Sequence, residues 1–247
     1  MREIVVIGIG AGNPQHITLE GISALRRSDV VVALDKGDIK DDLLGVRREI
    51  LNAHNPDIPL IAVADPPRDR NPQDYSAEVH RWHDARAELL ERTIIDNTHP
   101  DGVAAFLVWG DPSLYDSTLR IIERFTEPMT VTVIPGITAV QALTAAHKIL
   151  LNRVGEEIVI TTGRQVSEGA RHRNCVVMLD GGAAWLEAAN PHTYMWWGAY
   201  VGTPHEVLVH GYVSEIGAEL AERKKKLRAE HGWIMDIYLL RELDSSS

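Results

Sequence analysis

The chain has a single cysteine, Cys175, among its 247 residues, so no intramolecular disulfide can staple it. It lacks any uncharged apolar run near the ~20 residues that a membrane-spanning helix needs. Basic residues are outnumbered, with 25 Lys and Arg against 35 Asp and Glu. The resulting formal charge of −10 excludes a broad cationic surface that binds nucleic acid by counterion release. Any anionic ligand must therefore meet a local basic pocket. No internal repeat, low-complexity tract or lipidation motif interrupts the chain. No signal-peptide pattern precedes the first apolar run, so the cytoplasm is the expected compartment. What is present is ordinary for a globular protein, 45% hydrophobic and 24% charged, on a chain long enough for a core that folds without staples.

Short apolar runs alternate with amphipathic segments in the first half, the pattern of an α/β sheet. Residues 3–8, 30–34, 60–63, 103–109 and 131–134 read as strands; 19–27, 76–97 and 117–125 read as helices, with Thr18 the N-cap of the first. Between the third strand and its helix, the polar Pro-rich stretch 65–74 is a candidate lid. The second half changes character, with strand patterns at 157–161, 175–179, 194–200, 206–212 and 233–240 and fewer helices between them. These patterns predict two α/β domains, 1–133 and 134–247, with a mostly parallel first sheet, a mixed second sheet and a cleft between. The charged segment 214–231 reads as a solvated helix, since Glu215, Glu219, Glu222 and Glu230 offset its run Arg223 to Lys226.

Gly8, Gly10 and Gly12 follow the first strand and Asp35 ends the second, which invites a dinucleotide-binding reading. The fit is poor. The third glycine of that fingerprint falls on Asn13, and residues 13–17 delay the helix, so its free N–H groups are displaced from the loop. A nicotinamide-dependent oxidoreductase and a non-catalytic nucleotide sensor remain as alternatives, as does a plain tight turn.

Three segments together point elsewhere: GIGAGNPQHIT at 8–18, VWGDPSLY at 108–115 and VIPGITAV at 133–140. In this order and spacing they resemble the signature stretches of the tetrapyrrole (corrin and porphyrin) methyltransferases. LDKG at 34–37, ITTGR at 160–164, VMLDG at 177–181, WGAYVGTP at 197–204 and GWIMDIYLLR at 232–241 extend the likeness over nearly the whole chain.

The resemblance implies an S-adenosylmethionine-dependent methyltransferase of two α/β domains, with the cofactor in the cleft, S-adenosylhomocysteine as product and no metal. It also implies a homodimer and no nucleic-acid or membrane partner. Its expected reaction is methylation of precorrin-5 at carbon 1 with release of acetate, giving precorrin-6A; another methylation site on a tetrapyrrole is the near alternative. Carried over by motif, cofactor contacts fall on Trp109, Gly110, Asp111, Leu114, Thr138 and Ala139, with looser matches at Asp180, Ala199 and Met235. Gly10 belongs to the loop that lines the substrate trough. Ala11 and Asn13 depart from the family's Pro and Asp in that loop, so a catalytic carboxylate there is missing.

A sulfonium methyl is already activated, so transfer to carbon needs in-line positioning at ~3 Å more than it needs acid or base, and no catalytic triad is expected. Asp111 could offset the sulfonium or bind the cofactor's amino group, although Asp before Pro112 is also a common turn former. Deacetylation needs water and an oxyanion partner; by motif position Asp35, Lys36, Asp38, Tyr115 and Asp116 lie near the trough, with Asp35 or Asp38 the expected base and Lys36 or Tyr115 the expected partner. The carboxylates of a precorrin require cations, and Lys36, Arg68, Arg70, Arg153 and Arg164 are the expected ones. His80 and His83 share a helix face without a third metal ligand, Cys175 reads as a core residue, and Trp196 and Trp197 must point to opposite faces of their strand.

Overall fold

A computed structural model describes residues 1–35, 41–69, 73–232 and 234–243, with no side-chain placement at 41–43 and 75. Lys36, Asp38, Arg70 and Trp233 lie outside the described residues. The chain divides into two units, Met1–Thr138 and Ala139–Ser247.

In the first unit β1 (Glu3–Gly8), β2 (Val30–Asp35), β3 (Leu60–Ala64), β4 (Val103–Val108) and β5 (Thr130–Ile134) form one sheet in the order β3-β2-β4-β1-β5. Every pairing in it is parallel. Parallel strands need crossovers, and helices on both faces explain why β1 is a continuous apolar run rather than an alternating one. Val5 and Ile7 pack under α1 (Leu19–Arg26) and α2 (Asp41–His54). Ile4 and Val6 pack on the opposite face under α3 (Tyr75–Asn97) and α4 (Thr118–Ile122). As the sequence predicts, α1 opens late: the 3-10 turn Pro14–His16 intervenes, and the Thr18 hydroxyl accepts from Gly21 N at 3.0 Å as the N-cap.

The chain leaves β1 and β2 toward one face and β4 toward the other, so crevices open at the carboxyl edge where neighbouring connections diverge. Three strand ends meet there through bare backbone. A Cβ on Gly136 would lie 2.1 Å from Gly110 O and 2.7 Å from Gly8 C, and one on Gly8 would lie 2.6 Å from Gly136 N. Only glycine permits that approach.

The second unit holds β6 (Val159–Thr162), β7 (Asn174–Met178), β8 (Thr193–Ala199), β9 (Val207–Tyr212) and β10 (Asp236–Glu242), in the order β6-β7-β10-β8-β9. β6 and β7 run parallel and the remaining pairs antiparallel, which is the mixed sheet expected. α5 (Ala139–His147), α6 (Gly163–Ser167), α7 (Trp185–Ala188) and α8 (Val213–His231) complete the unit. Of these only α8 is expected from the sequence. Trp185, Trp197 and Tyr238 are fully buried at the centre of its core, while Trp196 on the other face is half-buried. Cys175 is a buried core residue, and burial pushes its thiol up to about 11.

A lysine is buried beside that core. Lys224 Nζ on α8 lies 2.7 Å from Asp236 Oδ2 and donates to Asp180 O at 2.7 Å, and both charged side chains are at most 6% exposed. Trp197 Nε1 donates to the same Asp236 oxygen at 2.9 Å.

Two outcomes are expected. Replacing Lys224 by Met leaves Asp236 buried without its cation and is expected to cost about 3–5 kcal/mol, lowering Tm by roughly 6–20 °C. The exposed neighbour Lys225, paired only with exposed Glu222, is the control: Lys225→Met leaves Tm unchanged by thermal melt. Gly136→Ala drives a methyl into Gly110 O and is expected to cost about 3 kcal/mol, readable as a drop in the urea midpoint at constant m-value.

Candidate active site

The three loops that leave β1, β4 and β5 are tied into one surface. Gly110 N donates to Gly10 O at 2.8 Å and Gly10 N donates to Gly110 O at 3.3 Å, joining the first loop to the second. Gly10 has φ +82°, and a Cβ on it would lie 2.3 Å from the Cβ of His16, so a side chain is excluded twice over. Asp111 joins the second loop to the third: Oδ2 accepts from Gly136 N at 2.8 Å, while Oδ1 accepts from Ser113 N at 2.8 Å and from the Ser113 hydroxyl. Burial alone would raise the Asp111 carboxyl, but the hydrogen bonds from Ser113 and Gly136 outweigh it and hold the group below its ordinary value.

The glycine loop does not present a helix N-terminus. The N-terminus of α1 lies at Leu19, closed by Thr18, and Gly10 is bound instead to the β4 loop. This geometry lacks the phosphate-binding element of a dinucleotide site.

On this surface Trp109 is half-buried, and its indole Nε1 is buried with no hydrogen-bond partner among the described residues. Leu114 closes the turn with its N–H on Asp111 O at 3.2 Å. Tyr115 is 46% exposed with φ +52°. Thr138 immediately precedes α5, and Ala139 is its first residue. Asp35 ends β2 at the same edge, its carbonyl accepting from Asp65 N at 2.9 Å.

The described part of the Pro-rich loop is pinned to α3. Asp65 pairs with the buried Arg86, Trp82 Nε1 donates to Pro66 O at 2.8 Å, and Asp69 N donates to Glu78 Oε1 at 2.8 Å. Arg68 lies over the Trp82 ring at 5.1 Å and Arg86 at 3.3 Å. Also on α3, His83 stacks on Trp82 at 5.6 Å, and His80 Nδ1 faces Arg124 Nη2 at 3.2 Å. Among the described residues no group of three or more His, Cys, Asp or Glu could hold a metal ion.

In the second unit, Asp180 is 7% exposed and its carboxylate is turned inward: Oδ1 accepts from Gly182 N, and Oδ2 from Ala184 N and Tyr238 OH, each at 2.9 Å. Ala199 ends β8 with its side chain fully buried, and Met235 O accepts from Tyr200 N at 2.9 Å. The Asp180 and Ala199 side chains are buried, whereas Met235 is half-buried. Arg164 is exposed, 3.8 Å from Glu168, and Arg153 is half-buried in the connection before β6.

Among the described residues four non-glycine positions have φ between +52° and +57°, and three adjoin motif positions: Tyr115 beside Leu114, Leu179 beside Asp180 and Tyr200 beside Ala199. Such conformations gather where a site dictates the backbone. Sequence patterning gave no sign of them. It also missed Arg47, whose Nε donates to Leu107 O at 3.0 Å, because the helix that carries it was not expected.

Comparison with known proteins shows the family. Residues 3–217 match the family model of Tetrapyrrole (Corrin/Porphyrin) Methylases. The chain is 43% identical over 250 residues to a precorrin-6A synthase [deacetylating] of Sinorhizobium sp, covering 98% of this chain and 96% of that one. The crystal structure of a cobalamin synthesis related protein (CobF) from Corynebacterium diphtheriae is 57% identical, with TM-score 0.89 over 99% of this chain and 100% of that one. A uroporphyrin-III C-methyl transferase from Thermus thermophilus, solved with S-adenyl homocysteine, shares the fold at 18% identity and TM-score 0.62, over 97% and 92% of the two chains. The chain belongs to the tetrapyrrole (corrin/porphyrin) methylase family.

Proposed function

We propose that this chain is the deacetylating C-methyltransferase that converts precorrin-5 to precorrin-6A, methylating carbon 1 and releasing acetate. The observation that carries the reading is the fusion of the three signature loops into one surface, in a chain that matches a precorrin-6A synthase almost end to end.

The residues present fit S-adenosylmethionine. The bare backbones of Gly8, Gly110 and Gly136 form a floor that any Cβ would fill, and Trp109 Nε1 is a buried donor without a partner. Gly110, Leu114, Thr138 and Ala139 would contact it from the same loops, with Trp109 donating its indole N–H. When bound, the cofactor supplies a methyl activated by its sulfonium. Asp111 works through the loops, since its carboxylate already spans Ser113 and Gly136. Its retained negative charge also favours a cationic neighbour.

Calorimetric titration with S-adenosylhomocysteine, with NAD run in parallel, tests the reading. Micromolar binding is expected, abolished by Thr138→Trp and weakened about tenfold by Trp109→Phe, which keeps the aromatic bulk but deletes the donor. NAD binding with no response to S-adenosylhomocysteine would sink the reading. Asp111→Asn loosens the join between the loops; since the native carboxyl titrates below its ordinary value, the stability it adds is present near neutrality and fades as acid protonates it. The variant's Tm is therefore expected to lie below wild type at pH 7 and to converge with it as the pH falls below the ordinary carboxylate range.

A further inference from the structure

The loop after β1 spends most of its polar side chains on its own turns. Within residues 8–18 there are four, Asn13, Gln15, His16 and Thr18. Asn13 Oδ1 accepts from Gln15 N at 2.9 Å, the Thr18 hydroxyl accepts from Gly21 N at 3.0 Å, and Gln15 is exposed. His16 differs from all three. Its Nδ1 is buried with no hydrogen-bond partner among the described residues, yet the residue as a whole is half-buried, so what it exposes is the ring edge that carries Nε2. Buried polar atoms are nearly always paired, and an exception in the middle of a signature loop calls for a reason.

The ring is also held in place. His16 stands directly against Gly10, where any Cβ would collide with its own, and Gly10 is bonded in turn to Gly110 of the second loop. His16 N donates to Asn13 O at 2.8 Å, and His54 Nε2 on α2 donates to Pro14 O at 3.2 Å, which fixes the turn that carries the ring. A neutral imidazole has one N–H. On the sealed Nδ1 it would be a buried donor with nothing to accept it, the rarer defect in folded proteins, so the proton belongs on Nε2. His16 therefore offers a preorganised N–H beside the pairing of Gly10 with Gly110.

Methyl transfer has no use for such a donor, since it needs position, but loss of an acyl group as acetate does. We propose that His16 is a catalytic residue of the deacylation: its Nε2–H donates to the oxygen of the substrate's acetyl group and stabilises the oxyanion formed there when water adds. This rests on the deacetylating reading above. The water oxygen bonds to the acyl carbon as one of its protons passes to solvent, and the carbonyl pair moves onto the oxygen that His16 holds. Collapse of that alkoxide restores the carbonyl and breaks the bond between the acyl carbon and the macrocycle. The pair from that bond passes into the conjugated ring system, where the methyl of S-adenosylmethionine takes it up. The arm leaves as acetic acid, with one oxygen from the ketone and one from water. No oxidant or reductant is required.

Two amide variants separate the two edges of the ring, because an asparagine amide falls near Nδ1 of the histidine it replaces and a glutamine amide near Nε2. With precorrin-5 and S-adenosylmethionine, His16→Asn is expected to lower kcat for acetate formation about 100-fold, with KM for precorrin-5 within about threefold of wild type. His16→Gln, which restores a donor on the open edge, is expected to keep at least about a tenth of the wild-type rate. Both variants should bind S-adenosylhomocysteine as wild type does by calorimetry and melt at the wild-type Tm. A histidine that merely packed against Gly10 would not split the two amides in this way. Acetate release by His16→Asn at the wild-type rate overturns the proposal, as do equal losses in the two variants or a loss that tracks weaker S-adenosylhomocysteine binding and a lower Tm. Wild-type protein that turns over a tetrapyrrole without forming acetate overturns the deacetylating reading itself, which separates the two failures.

Discussion

The contact of Gly136 with Gly110 and Gly8 governs the first unit's functional edge. Three parallel strands end within van der Waals reach of one another because none carries a side chain at that level. The loops above are positioned from there: the Gly10–Gly110 pairing and the Asp111 link to Gly136. A flat backbone surface offers N–H and C=O groups with no steric cover, which is how a site can recognise a polar cofactor while spending few side chains on it.

The second unit solves a comparable problem with charge. Asp180, Lys224, Asp236, Tyr238 and Trp197 form a connected buried network in which the lysine sits between a carboxylate and a main-chain carbonyl. Such a network is costly if any member is lost, and it fixes α8 on the sheet at one register. Through Asp180 it also holds the turn at 179–184 in place.

Much of this was legible in the sequence. The first strand, the delayed first helix with its Thr18 cap, the long helix near 76–97 and the charged helix near 214–231 all follow from apolar spacing and capping chemistry. α2 escaped because Gly45 and the charged residues around it dilute a stripe in which Leu44 and Leu51 are nevertheless buried. α5 was hidden by its small residues and by the Pro135–Gly136 stop before it. Motif order located the three loops, but not what Asp111 does in them: the turn-former and the functional carboxylate are the same group, engaged on both sides. Lys36 and Asp38 fall outside the described residues, so the structure adds nothing to their candidacy.

The sheet order carries a consequence for how the protein is made. β1 pairs with β4 and β5 and not with β2, so its partners are residues 103–108 and 130–134. On a ribosome adding about 5–20 residues per second, the apolar stretch Ile4 to Ile7 is synthesised roughly 5–20 s before the first of those partners exists. During that interval it is an unpaired strand with both faces apolar, the kind of segment that chaperones bind and that aggregates when they do not. The geometry that brings Gly8 against Gly110 and Gly136 therefore leaves β1 exposed on the nascent chain until residues 103–108 follow it.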